Sequence, residues 1–213
     1  MEIFTPLISN QIEMEQNDID RLTNYIKALE KWNNIHALTS VSARELPYVF
    51  IVEPIVAARE LAKTVNPLKC IDIGTGFGNP GIAMSVYFKK ADFLLLDASQ
   101  KKTALLRKIV YDEKFERVKV VTARIEDVTK QIDSSFDLVI SRGIGSLDKT
   151  LEYAYELAKL DGTIAIFKAK LDVKEFSDTK KEGLVLDRVL TLNVVYPLRE
   201  VARYVLVYKK VVL

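Results

Sequence analysis

The chain has 213 residues, of which 49 % are hydrophobic and 28 % charged, with one cysteine and a net charge of +2. This composition suits one globular domain with a small additional region, and a single cysteine excludes a scaffold held by internal disulfides. The apolar runs are too short to span a bilayer, and the N-terminus lacks the pattern of a signal peptide, so we expect a cytoplasmic protein.

The N-terminal part of the chain has helical periodicity and no strand pattern. Its apolar residues recur at spacings of three and four: Ile19, Leu22, Ile26 and Leu29. This spacing predicts a helix over residues 11–34. A second helix is expected to end near residue 65, and Pro54 should kink or divide it because proline has no N–H to donate. We therefore predict a helical N-terminal region over residues 1–65.

From residue 68 onward, short strand-like runs alternate with longer helical segments. The predicted strands are residues 69–73, 92–97, 117–121, 136–140 and 163–168. The predicted helices lie near residues 80–89, 99–113, 147–159 and 172–181. Such alternation is typical of an α/β protein with a mostly parallel sheet and helices on both faces.

The chain ends differently, with two strand-like segments, LDRVLTLNVVY and EVARYVLVYKK, separated only by PLR. A link this short cannot make a parallel crossover, so the two segments should form an antiparallel hairpin. Five alternating units followed by such a hairpin resemble the Rossmann-like, seven-stranded sheet of class I methyltransferases, which bind S-adenosylmethionine. We therefore predict a methyltransferase domain over residues 66–213.

The segment CIDIGTGFGNPGI places a glycine-rich loop directly after the first of these strands. Gly74, Gly76 and Gly78 tolerate backbone angles that other residues avoid, and they let a ligand approach the main chain. Their G-x-G-x-G spacing departs from the dinucleotide fingerprint, which would require glycine in place of Asn79. Adenosylmethionine has no phosphate and therefore needs no such fingerprint.

Acidic residues stand near this loop and at the ends of later strands. Asp97 ends the second strand, where an acid accepts hydrogen bonds from ribose hydroxyls; capping the next helix is the alternative. Asp72 precedes the loop and could contact the cofactor or brace the loop. Arg124, Ile125 and Glu126 follow the third strand and are expected to flank the adenine, although Glu126 could instead cap the next helix.

Basic residues follow the carboxyl ends of the later strands and continue into the hairpin: Arg124, Arg142, Lys168, Arg199 and Arg203. Ligands of open α/β sheets bind outside these strand ends, and buried cations are costly unless they are paired or used. The convergence indicates an anionic ligand beside the cofactor, with nucleic-acid phosphates as the obvious candidate. Ion pairs with Glu126, Asp127 and Asp148 are the alternative.

Several segments together resemble the bacterial small-subunit rRNA guanine-N7 methyltransferases, also known as glucose-inhibited division protein B. They are KWNNIHALTSV, DIGTGFGNPGI, LLDASQKKTALLRKI, ARIED, ISRGIGSL and FKAK. The resemblance covers nearly the whole chain, and it implies S-adenosylmethionine as cofactor and one guanine of 16S rRNA, near the decoding centre, as target. The family's basic functional positions map onto Arg124, Arg142, Lys168 and Arg203, and we assign Arg142 to the cofactor site as well.

The chain departs from this family's pattern at three places. The family usually has a His-Ile-Leu-Asp-Ser-like element where this chain has FIVEPI at residues 50–55. It usually has glycine where this chain has Ala169, and it often has proline where this chain has Ala83. These departures concern the rRNA contacts more than the cofactor site.

Methylation at guanine N7 requires no general base, because this ring nitrogen carries a lone pair and no proton. The sequence agrees, since the fourth strand is followed neither by the acid-or-amide–Pro–Pro–aromatic motif nor by the cysteine that other base methylations use. We expect Arg142 or Lys168 to donate a hydrogen bond to guanine O6. Arg124 and Arg203 would then hold phosphates.

Three other functions remain open at the level of sequence. The first is a methyltransferase that acts on another RNA, a protein or a small molecule. The second is an NAD-dependent oxidoreductase, which would need a proton donor that the segments after strands four and five do not offer. The third is a non-catalytic RNA-binding module. For the rRNA methyltransferase we expect a monomer that binds no metal and no membrane.

Overall fold

The computed structural model describes residues 4–36, 39–130, 135–172, 181–197 and 199–212. Its helices are α1 (Phe4–Ser9), α2 (Gln16–His36), α3 (Glu53–Leu61), α4 (Gly81–Tyr87), α5 (Gln100–Asp112), α6 (Ile125–Val128) and α7 (Leu147–Leu157). Its strands are β1 (Lys69–Ile73), β2 (Asp92–Asp97), β3 (Val118–Thr122), β4 (Phe136–Arg142), β5 (Ala158–Lys168), β6 (Leu184–Tyr196) and β7 (Arg199–Lys210).

These strands form one sheet in the order β3-β2-β1-β4-β5-β7-β6. The first five run parallel, and β7 lies antiparallel between β5 and β6. The predicted α/β fold, with a mostly parallel seven-stranded sheet and a C-terminal antiparallel hairpin, is confirmed. The strand order reverses between β1 and β4, and open α/β sheets bind their ligands at such a switch point.

The strand bounds follow the predictions closely, with one extension. β5 begins at Ala158, before the predicted start, because Ala158 pairs with Phe136 ahead of an irregularity in the β4–β5 ladder. The short helices α1 and α6 were not predicted. Most of the predicted helix over residues 172–181 lies outside the described residues.

Both faces of the sheet are covered, which explains why its central strands are mostly apolar. Leu138, Ile140 and Phe167 belong to a cluster that includes side chains of α2, α3, α4 and α5. Val139 and Ile164 belong to a second cluster, on the opposite face, with side chains of α6 and α7. The alternation of side chains along β4 and β5 therefore decides which helices each residue meets.

The N-terminal helices differ from the predicted ones in where they start and in the type of helix before Pro54. α2 starts at Gln16 rather than at residue 11. The helix before Pro54 is a π-helical turn over Tyr48–Val52, in which Glu53 N–H donates to the Tyr48 carbonyl, and α3 follows it directly. The helix thus changes from π to α just before Pro54, while the backbone stays helical on both sides of that change. The boundary between the two predicted domains, near residue 65, stays a prediction.

Among the helices of the described ranges, none is both long enough and apolar enough to cross a membrane.

Candidate cofactor and substrate site

The glycine loop joins β1 to α4 at the switch point, and its three glycines differ in their surroundings. All have positive φ: +70° at Gly74, +59° at Gly76 and +95° at Gly78. A Cβ on Gly74 would lie 1.7 Å from Ile144 Cγ2, and one on Gly78 would lie 2.6 Å from Ile82 Cγ1. The Cβ position of Gly76 has no neighbouring heavy atom within 4 Å. The sequence pattern does not distinguish the three glycines, but only Gly76 has open space at its Cβ position that a ligand could occupy.

Asp72 lies under the loop and has no exposed surface. Its Oδ2 accepts hydrogen bonds from the Thr75 hydroxyl, at 2.6 Å, and from Gly81 N–H, at 2.9 Å. These bonds tie the end of β1 to the start of α4, which is the bracing role left open by the sequence. Burial raises the pKa of Asp72 to about 7, against the opposing effect of the two hydrogen bonds.

Asp97 connects the end of β2 to the glycine loop. Its Oδ2 accepts from Gly76 N–H at 2.9 Å, and its Oδ1 accepts from Ser99 N–H at 2.8 Å. Ser99 is the N-cap of α5, because its hydroxyl accepts from Lys102 N–H, so capping does not explain Asp97. Each oxygen of the half-buried carboxylate keeps further acceptor capacity. An acceptor carboxylate beside an open glycine fits a group that carries hydroxyls.

The segment after β3 lies at the same edge of the sheet. Arg124 is exposed and precedes α6, and Ile125 is partly buried against the second cluster. Glu126 is exposed, and its Oε1 accepts from the Tyr153 hydroxyl at 2.8 Å. A hydrogen bond from its own backbone N–H, and then the one from Tyr153, lower the pKa of Glu126. These contacts orient Glu126 without deciding whether this segment flanks an adenine.

Arg142 and Arg203 meet at one buried carboxylate, that of Glu53. Arg142 Nη2 donates to Glu53 Oε2 at 2.7 Å, and Arg203 Nε lies 3.0 Å from Oε1. The Tyr196 hydroxyl donates to the same Oε1 at 2.7 Å.

For Arg142 and Arg203, the alternative ion pairs that the sequence suggested are not the ones that form. Within the described ranges, Glu126, Asp127 and Asp148 make no ion pair with either arginine, and Glu53 takes their place. Glu53 comes from the N-terminal helices, about ninety residues before Arg142 in the chain. Sequence proximity therefore pointed to the wrong acids.

Lys168 ends β5, but on the opposite face of the sheet from Arg142. Arg142 is in register with Phe167, so the next residue, Lys168, points away from it. Lys168 is instead in register with Tyr204 of β7. Arg142 and Lys168, the two residues predicted to contact guanine O6, thus lie at the same edge of the sheet, but their side chains project from opposite faces. Arg199, the other basic residue of the hairpin, pairs with Glu45 at 2.7 Å.

A cleft of about 650 Å³ lies elsewhere, between α2, the end of α4 and the segment that joins α5 to β3. Its walls carry acids and bases that pair with one another, such as Asp18 with Arg21 and with Lys89. Mutual pairing leaves this cleft little net charge to offer a ligand. The glycine loop, where a polar group and open space coincide, is the better candidate site.

Comparison with known proteins identifies the family. The sequence matches the family described as GidB, rRNA small subunit methyltransferase G, over residues 18–200. The chain belongs to this family. A relative named ribosomal RNA small subunit methyltransferase G, from Escherichia fergusonii, is 32 % identical over 198 residues, which are 93 % of this chain and 92 % of the relative. The family match covers the glycine loop, Asp97 and the end of β4.

Solved structures support the fold of this family member. The cofactor-bound protein Rv0187 from MTB has a TM-score of 0.65 at 15 % identity and covers 90 % of this chain and 89 % of that one. A precorrin-6y C5,15-methyltransferase from Geobacter metallireducens has a TM-score of 0.55 at 17 % identity, over 74 % of this chain and 86 % of that one. At such identities the likeness establishes the class I methyltransferase fold alone.

Sequence reasoning missed three side chains of this region in the family member. Glu53 was noted only as part of a departure from the family pattern, yet an acid within the apolar run FIVEPIV was a signal that it would need buried partners. Ile144, which covers Gly74, and Tyr25, whose hydroxyl donates to the Phe77 carbonyl at 2.9 Å, had no signal beyond their apolar character.

Proposed function

We propose that the chain transfers the methyl group of S-adenosylmethionine to N7 of one guanine in small-subunit rRNA. The observation that carries the cofactor assignment is the half-buried Asp97 carboxylate, hydrogen-bonded to Gly76 N–H, whose α-carbon faces open space. A carboxylate in this position suits a ribose diol, and the bare backbone leaves room for the rest of the nucleoside. Membership of the family supports the rRNA target.

The proposed reaction requires no general base from the protein. When bound, S-adenosylmethionine supplies a methyl group that its sulfonium already activates. Guanine N7 forms the new bond with its lone pair as the carbon–sulfur bond breaks, so the positive charge passes to the guanine and no proton has to leave first. The side chains of this chain are therefore needed to bind, to align and to exclude water.

The basic residues supply the proposed contacts with the nucleic acid. Arg142 keeps donor N–H groups beyond those that Glu53 and the Val49 carbonyl accept, and we assign one of them to guanine O6. Lys168 is the second candidate for this contact, from the other face of the sheet. Arg124, which is exposed, and Arg203 would hold phosphates.

The cofactor contacts of the proposal extend along the same edge of the sheet. Asp72 acts through the loop that it braces, while Ile125 and Glu126 would lie beside the adenine. Gly74 and Gly78 shape the loop, and Arg142 would border the methyl donor as well as the guanine. We place the protein in the cytoplasm as a monomer, beside the small-subunit rRNA.

The decisive experiment compares rRNA from cells with and without this protein. Mass spectrometry of nuclease fragments should find one 7-methylguanosine in small-subunit rRNA that disappears when the protein is absent. In parallel, S-adenosylmethionine should raise the melting temperature of the purified chain. Unchanged rRNA in the cells that lack the protein would refute the rRNA target, and labelled methyl transfer to small molecules or other RNAs would then identify the substrate.

A further inference from the structure

Glu53 is a buried acid held between two arginines at the carboxyl edge of the sheet. Its side chain is 1 % exposed, while those of Arg142 and Arg203 are each 23 % exposed. Tyr196 also donates to this carboxylate, and its ring stacks on that of Tyr48, with 4.6 Å between the centroids. The carboxylate thus joins the helical N-terminal region to the end of β4 and to the C-terminal hairpin.

The contacts fix the guanidinium of Arg142 on one side only. Its Nη2 donates to Glu53, and its Nη1 donates to the Val49 carbonyl at 3.3 Å. A guanidinium has five N–H donors, so others remain for a ligand. Both protein acceptors belong to the N-terminal helices. This part of the chain therefore sets the direction in which Arg142 faces the carboxyl edge of the sheet.

The charges of the cluster also suit an anionic substrate. One carboxylate faces two guanidinium groups, which leaves a net charge of about +1 at a partly exposed position. Without the carboxylate, two neighbouring arginines would repel each other and move toward solvent. With it, both are held side by side in one geometry.

We propose that Glu53 is a positioning residue for methyl transfer, which acts by holding Arg142 and Arg203 in the orientation that receives the target guanine and its phosphate. The proposal rests on the proposed function and deepens it. A buried ion pair is weak support for stability, since desolvation offsets much of the attraction, so stability alone does not account for this acid.

The test measures single-turnover methyl transfer to small-subunit rRNA, together with binding of S-adenosylhomocysteine by calorimetry, for the full-length chain. In Glu53→Gln the transfer rate should fall by roughly tenfold or more, because a charge-assisted contact that orients Arg142 is lost. The affinity for S-adenosylhomocysteine should stay within about twofold, because Gly76 and Asp97 are unchanged.

Asp18→Asn provides the matched control at the other edge of the sheet. Asp18 is also a buried acid between two cations, Arg21 and Lys89, with a side chain that is 7 % exposed. This substitution should lower the melting temperature but leave the transfer rate unchanged. Tyr196→Phe removes a single hydrogen bond to Glu53 and keeps the volume, so it should slow transfer by a few-fold even where Glu53→Gln fails to fold.

A double-variant cycle separates positioning from a purely structural role. If Glu53 acts through the two arginines, then Glu53→Gln should slow transfer much less in an Arg142→Ala background than in the wild type, because only its contact with Arg203 is left to lose. Full transfer by Glu53→Gln, or equal losses in both backgrounds, would overturn the proposal while the wild-type chain still methylates rRNA. A wild-type chain that methylates no rRNA would instead overturn the proposed function, and this role of Glu53 with it.

Discussion

Asp72 is a side chain whose burial makes the stability of the whole chain depend on pH. Its pKa rises from the ordinary 3.8 to about 7, chiefly because the carboxyl group is desolvated. Between these values, the folded chain keeps a proton that the unfolded chain has lost. The free energy of unfolding contributed by this residue therefore falls as pH rises from about 4 to about 7, and it is constant above that.

Replacing Asp72 with Asn should remove this dependence. The amide oxygen of Asn can still accept from the Thr75 hydroxyl and Gly81 N–H, and it carries no charge to desolvate. We expect the free energy of unfolding of the variant, relative to wild type, to rise by up to about 4 kcal/mol between pH 4 and pH 8. Urea unfolding at several pH values measures this difference, and parallel pH profiles for the two proteins would contradict it.

The open surroundings of Gly76 lead to a second prediction at the same scale. Gly76→Ala adds a Cβ that meets no protein atom within 4 Å, so strain at φ +59° is the main cost, about 1–2 kcal/mol. The added methyl group should nevertheless weaken binding of S-adenosylmethionine strongly, because it occupies the space proposed for the ligand. Calorimetry checks this expectation.

Gly143→Ala is the matched control for Gly76→Ala. Its φ is +75°, and its Cβ position is also free of neighbouring atoms within 4 Å. It should lose a similar amount of stability while it keeps its affinity for S-adenosylmethionine. An affinity of Gly76→Ala as high as that of the wild type would show that Gly76 does not line the site.

Asp97 carries the third prediction. In Asp97→Asn only one oxygen remains to accept from Gly76 N–H and Ser99 N–H, so one of these groups loses its partner. The variant also offers the proposed ribose hydroxyls a neutral acceptor in place of a charged one. Hydrogen bonds to charged groups contribute about 1.5–3 kcal/mol, so we expect an affinity for S-adenosylmethionine at least about tenfold weaker. Binding titrations at pH 7 test this, and unchanged affinity would remove Asp97 from the site.

At the scale of elements, α2 supports the glycine loop through a single buried hydroxyl. Tyr25 has no exposed surface, and its hydroxyl donates to the Phe77 carbonyl at 2.9 Å. Burial raises the pKa of Tyr25 well above its usual range, so the hydroxyl keeps its proton and remains a donor. A helix of the N-terminal region thus holds the loop between Gly76 and Gly78.

Tyr25→Phe tests this support. The variant leaves the Phe77 carbonyl without its donor, so we expect a loss of about 1 kcal/mol in stability and a few-fold weaker affinity for S-adenosylmethionine. Tyr208→Phe alters another buried tyrosine, on β7, and should leave the affinity unchanged. Identical affinities of the two variants would mean that α2 does not influence the loop.

At the scale of the whole molecule, the N-terminal helices and the sheet share one apolar core. Leu22, Tyr25 and Ile26 of α2 lie in the same cluster as Ile82 of α4 and Leu106 of α5. Glu53 adds a polar connection to the end of β4 and to the C-terminal hairpin. These contacts favour cooperative unfolding of the predicted regions 1–65 and 66–213.

Trp32 is the only tryptophan of the sequence and lies in α2, so its fluorescence follows unfolding of the N-terminal region. Thermal unfolding followed by its fluorescence should coincide with unfolding followed by far-ultraviolet circular dichroism, which reports on all helices and strands. Two separate transitions would mean that the region over residues 1–65 is an independently folding domain.

The sequence by itself determined the fold and most of the strand boundaries. Short apolar runs differ from the longer segments in which apolar residues recur every three to four positions, and this difference distinguishes β1–β5 from the helices between them. The link PLR was too short for a crossover, so the antiparallel hairpin followed from geometry. Asp97 and the glycine loop could be located because each lies directly beside the end of a strand.

Tertiary structure alone decided which groups meet at that edge. Ile144 fills the space beside Gly74, Tyr25 supports Phe77, and Glu53 pairs with Arg142 and Arg203 from far along the chain. Local periodicity reports the direction of a side chain relative to its own helix or strand, but a contact between distant segments depends on how whole elements pack. The packing of the helices on the sheet therefore decides which acid pairs with the arginines and which glycine has open space beside it.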